Sequence, residues 1–194
     1  MSRSPQEAVM SYLTDMLALE EHIEKALKAQ INDFEQEYPE VVTQLRLLHT
    51  TTEQHIATLK AVTDERDGGG RGVGDAIKRV GAMMAGFGAA AVDLFRTEKL
   101  PKDLRDDFTA LSLAAIGYVM LATTARSLDE PGVAELAERH LKAYAEAIMT
   151  LHNLIPGAVV RFLQEDGLPA RSEVVPMVVR SLEELWRPQQ VAAS

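Results

Sequence analysis

The 194-residue chain contains no cysteine, which rules out disulfides, thiolate zinc sites, iron–sulfur clusters and a cysteine nucleophile. Aromatic residues are scarce, with five Phe, four Tyr and one Trp. Strand formers are thin against abundant Ala, Leu and Glu, so helix is favoured throughout. Positive charge is in deficit: 20 Lys and Arg face 29 Asp and Glu, a formal charge of -9. A nucleic-acid footprint needs clustered Lys and Arg to displace counterions from phosphates, so no nucleic-acid partner is expected. The N-terminus MSRSPQEAVM turns acidic and polar before an apolar h-region can form. No secretory or transit signal is therefore predicted, and a cytoplasmic location is expected. One uncharged run, Phe108 to Ala125, is long enough to suggest a membrane span. Thr109, Ser112, Gly117, Thr123 and Thr124 dilute it, and Asp106-Asp107 supplies no positive anchor, so a helix buried inside a bundle is predicted instead.

Ser4-Pro5 reads as an N-cap followed by proline at the first helical position, with Glu7 favoured in the opening turn by the helix dipole. The apolar seam of this first helix steps through Val9, Leu13, Met16, Ile23, Leu27 and Phe34, interrupted by Glu20 and Gln30. Pro39 opens a second helix with Val41, Leu45, Leu48, Ile56, Leu59 and Val62 on its seam, and Thr52 and His55 on or beside it. The glycine-rich run 67–74 predicts a loop, without the Walker lysine of a phosphate-binding one. Asp75 caps a predicted small-residue helix from Ala76 to about Arg96. Pro101 starts another long helix with Leu104, Phe108, Leu111, Ala115, Tyr118 and Ala122 facing the core, ending near Asp129-Glu130. From Val133 the next carries Ala137, Leu141, Tyr144, Ile148, Leu151 and Ile155, and Pro156-Gly157 predicts a kink or a stop. A final amphipathic helix bears Val174, Val175, Val178, Val179, Leu182 and Trp186, serving as a lid on the bundle or as an intersubunit helix; a homodimer is expected. Glu21, His22, Glu24, His49 and His152 lie off the seams and read as solvated.

Four long helices with one long connection between the second and third match the up-down layout with a single crossover of ferritin-like bundles. The first-helix segment Leu19-Glu20-Glu21-His22-Ile23-Glu24-Lys25-Ala26-Leu27 resembles that of the YciE/YciF-type ferritin-like family. His49 to Leu59 resembles that family's second helix, and Ala82-Met83-Met84-Ala85-Gly86-Phe87 its crossover segment. The likeness covers roughly residues 10–155. It implies an all-α, ferritin-like up-down four-helix bundle over 1–167, its long crossover holding a short helix, with a C-terminal helix and polar tail over 168–194.

The resemblance also implies a di-iron ligand set: a glutamate from each of two helices and a Glu-x-x-His pair from each of the other two. Glu20 occupies the first position. On the second helix His55 matches, but Thr52 stands three residues before it where a bridging carboxylate is needed. The penultimate long helix offers no inward carboxylate, and the following helix no Glu-x-x-His, with Glu138, His140 and Glu146 read as beside its stripe. Two readings follow. In one, Glu20, Gln30, Thr52 and His55 form a metal-free, hydrogen-bonded polar layer in a non-catalytic protein with a stress-related or assembly role, and no cofactor is expected. In the other, Glu20, His55 and His140 hold a single iron, manganese or zinc ion in an oxidase or storage protein with a reduced site. A helical protein-interaction module unrelated to ferritins is the third alternative.

Overall fold

A computed structural model describes residues 4–67 and 99–186. The predicted helix 76–96, most of the glycine-rich run and the tail after Trp186 lie outside the described residues. Helix α1, Pro5–Phe34, begins as its sequence dictates: Ser4 Oγ accepts from the Glu7 amide at 3.2 Å, and the Glu7 carboxylate accepts from the Ser4 amide at 2.7 Å. This reciprocal box satisfies two otherwise orphaned donors. Helix α2, Pro39–Asp67, follows a short turn. Helices α3, Lys99–Ser127, and α4, Pro131–Glu165, meet at a tight turn in which Asp129 takes φ 59°, a left-handed position open to short polar residues. A 3-10 turn, Ser172–Val174, leads into α5, Val175–Trp186.

Side-chain pairs set the helix directions. Glu20 reaches His55 and Glu35 reaches Arg46, so α1 and α2 are antiparallel. Glu20 reaches Tyr118 and Gln30 reaches Asp107, so α1 and α3 are antiparallel too. Tyr118 with His140, and Phe108 with His152, give the same relation for α3 and α4. Helices α2 and α3 therefore run parallel, the arrangement that requires a crossover connection, and the bundle is all-α with an extra C-terminal helix. One core of aliphatic residues fills it, including Leu13, Leu27, Leu45, Leu59, Leu104 and Leu111. Each such fully buried side chain contributes about 1.5–3 kcal/mol. Helices α1 and α3 are in close contact at Gly117, where an added Cβ would strike Met16 Sδ.

Pro156 does not stop α4, which continues to Glu165. The lost backbone bond costs about 3 kcal/mol, and the buried Ala158 and Val160 beyond it repay the continuation. By length and composition α3 is the one described helix apolar enough to cross a bilayer. Its stripe Leu104, Leu111, Ala114, Tyr118, Leu121 and Ala125 is buried within the bundle.

Candidate functional site

Midway along the bundle the four long helices contribute a connected polar layer. Glu20 from α1 is fully buried, with Thr52 and His55 of α2, Tyr118 of α3, and His140 and Tyr144 of α4 buried around it. Three-residue spacing places Thr52 and His55 on one face of α2, and four-residue spacing does the same for His140 and Tyr144 on α4. Glu20 Oε1 accepts from the Tyr118 hydroxyl and from His55 Nδ1 at 3.1 Å, while Oε2 accepts from the Tyr144 hydroxyl. Behind these donors, His140 Nδ1 lies 3.0 Å from the Tyr118 oxygen and Nε2 lies 3.0 Å from Thr58 Oγ1. Thr52 Oγ1 lies 3.3 Å from the Tyr144 oxygen and donates to the Leu48 carbonyl at 3.0 Å.

Electrostatics fixes the proton positions. Burial, followed by the Glu20 carboxylate, raises both Tyr118 and Tyr144 well above the usual tyrosine value, so both phenols stay protonated and donate. Burial, followed by the neighbouring His55 imidazole, lowers His140 from 6.5 to about 3, so it is neutral. A neutral imidazole has one N–H. Donation from His140 Nδ1 to the Tyr118 oxygen leaves Nε2 as an acceptor 3.0 Å from Thr58 Oγ1, whose one hydroxyl proton also has the His55 and Gln54 carbonyls within reach at 2.9 and 3.1 Å.

These positions amend the sequence expectations. His140 lies inside the layer, because it is four residues before Tyr144 and shares its face. Gln30 is not part of the layer: ten residues on, about 15 Å along the helix, its amide donates to Asp107 at 2.9 Å. Glu24 and His49 are not solvated but half-buried, with Glu24 Oε1 2.9 Å from His49 Nε2. The sequence reading also left Tyr118 and Tyr144 as plain core residues. Their signal is present, since a buried phenol on an otherwise aliphatic stripe needs a hydrogen-bond partner.

The layer does not fit a di-iron centre. Two ferrous ions in such bundles take four carboxylates; this layer offers Glu20 alone, with Thr52 three residues before His55 and Ala137 three before His140. A single ion has a closer claim, since ligand atoms of Glu20, His55 and His140 all lie within 4.8 Å of one another. The two imidazoles, however, stack at 3.8 Å between centroids with planes 13° apart. Parallel rings aim their nitrogen lone pairs side by side, and both Glu20 oxygens already accept hydrogen bonds. One ring would have to turn before an ion was held, and the ion would share Glu20 with the three donors its oxygens already accept.

The fold recurs in a crystal structure of a protein from Xanthomonas campestris pv. campestris, with a TM-score of 0.67 at 22% identity over 84% of this chain and 99% of that one. No curated protein matches the chain significantly. The model of a domain of unknown function, DUF892, matches residues 4–164. That span takes in all four long helices and the whole polar layer, and the chain belongs to the DUF892 family.

Proposed function

We propose that this protein is a metal-deficient, non-catalytic ferritin-like bundle of the YciE/YciF type, with a stress-related or assembly role. The observation that carries this reading is the state of Glu20: both of its oxygens accept hydrogen bonds, from Tyr118, Tyr144 and His55 together. A buried carboxylate so satisfied holds four helices in register without an ion. The stress-related role rests on the likeness of the α1 and α2 segments to that family. In this reading α3 is a core helix of a cytoplasmic protein, residues 168–194 are an appendage to the bundle, and the chain pairs with a second copy. The uncovered apolar residues Ile116, Val119 and Met120 on α3 and Met177 and Leu185 on α5 support that pairing.

Elemental analysis of protein purified without chelators or affinity metal tests the proposal, together with anaerobic titration of ferrous ion. The expected result is less than a tenth of an equivalent of any transition metal and no saturable binding of ferrous ion. Stoichiometric iron, manganese or zinc overturns it in favour of the mononuclear reading, which the convergence of Glu20, His55 and His140 supports. Light scattering on the eluting protein tests the pairing, with twice the 21.3 kDa chain mass expected.

A further inference from the structure

Between α3, α4 and α5 lies an open-mouthed cavity of about 600 Å³. Phe108 forms its α3 wall, Ile155, Val159 and Leu163 its α4 wall, and Val178 and Leu182 its α5 wall. Its volume falls within the roughly 300–1,000 Å³ of small-molecule pockets.

The cavity is held open by a built linker. Gly167 turns the chain at φ +77°, the Leu168 amide bonds back to the Leu163 carbonyl at 2.9 Å, and Gln164 Nε2 donates to the Ala170 carbonyl at 2.9 Å and to Ser172 Oγ at 3.1 Å. With these bonds in place, Val174 of the 3-10 turn and Val178 and Leu182 of α5, four residues apart, line the space opposite α4. Arg105 is the one permanently charged side chain among the described residues lining the cavity. Its guanidinium bonds Asp106 Oδ1 through Nε at 2.9 Å and one terminal nitrogen at 2.7 Å, and its side chain is more than half exposed. Among the described residues its second terminal nitrogen makes no hydrogen bond.

We infer that this cavity binds a fatty acid, with the hydrocarbon between α4 and α5 and the carboxylate on Arg105. An apolar chamber with a single cation at its edge matches one apolar tail carrying one anionic head, and a guanidinium takes a carboxylate by charge-assisted hydrogen bonds. The site lies about three helical turns from the Glu20 layer along α3, and the inference is independent of whether that layer holds metal.

The test uses the full chain and dodecanoate, followed by displacement of a fluorescent fatty acid, with dodecanol as the uncharged comparison. Saturable binding of one dodecanoate per chain is expected. Arg105→Gln is expected to weaken dodecanoate about tenfold, the loss of one charged contact, and to leave dodecanol unchanged. Val159→Trp is expected to abolish both by filling the space, with Val178→Phe as a second filling variant should the first fail to give a helical, cooperatively melting protein. No saturable binding, binding indifferent to a folded filling variant, or equal effects of Arg105→Gln on acid and alcohol would overturn the inference. So would displacement of the probe by dimerisation alone, which would give the cavity to a second copy.

Discussion

Substituting Asn for Asp107 removes a titration whose size follows from where the carboxyl sits. Asp107 is buried on α3; its Oδ1 accepts from Gln30 Nε2 at 2.9 Å, while Oδ2 and Gln30 Oε1 have no partner. Burial raises its pKa from 3.8 to about 7, opposed by the Gln30 hydrogen bond and reinforced by Asp103 and Asp106. Because the folded value is the higher one, its contribution to stability is complete below the unfolded pKa and is lost as pH rises through about 7. At about 1.4 kcal/mol per unit the whole effect is about 4 kcal/mol, of which about 3 kcal/mol falls between roughly pH 5 and 8. His140 tilts the other way. Its value is depressed from 6.5 to about 3, so its contribution is present above 6.5 and is lost as pH falls toward 3, about 2 kcal/mol over the same interval. The two nearly cancel, and the wild-type profile is expected to be shallow. Asp107→Asn keeps the neutral hydrogen-bonding shape and leaves His140 alone to tilt the curve. Urea denaturation at the two pH values should then show the variant gaining about 3 kcal/mol relative to wild type on going to pH 8, or roughly 6–12 °C in Tm at about 2–4 °C per kcal/mol. Parallel profiles for the two proteins would refute the assignment of a proton to Asp107.

Three further substitutions probe the packing around Glu20. Glu20→Ala leaves Tyr118, Tyr144 and His55 without their acceptor and should cost about 3 kcal/mol or more in chemical denaturation; a loss below about 0.5 kcal/mol, the range of surface changes, would show that the layer does not hold the bundle. Tyr144→Phe removes one of three donors to Glu20 and the Thr52 contact; a loss of about 1.5–3 kcal/mol is expected, and an unchanged Tm would contradict it. Gly117→Ala gains about 1 kcal/mol of helix propensity but drives Cβ into Met16 Sδ, an overpacking cost of about 1–3 kcal/mol. A net loss in Tm is expected, and a higher Tm would mean that Met16 moves aside freely.

Much of the architecture is written in local chemistry. Ser4-Pro5 with Glu7 starts α1, prolines open α2 and α4, and the four- and three-residue apolar steps identify the buried faces. A charged residue on an apolar seam marked Glu20 before any contact was known, since a buried carboxylate has to be satisfied by something. What satisfies it was not legible, because Tyr118 and Tyr144 are 98 and 124 residues away and meet it only through the crossover topology. Helix geometry alone places two more residues. A stripe drawn through the hydrophobic residues of α4 leaves His140 out of the polar layer, although the single-ion reading names it; it stands three residues after Ala137 and four before Tyr144 and must share their face. Gln30 lies about 15 Å along α1 from Glu20, too far to join its layer. Sorting residues by polarity before spacing misplaces both. In a bundle with a polar layer the order is reversed: spacing decides which side chains face inward, and each polar one among them then needs a partner, here a phenol or an imidazole from another helix.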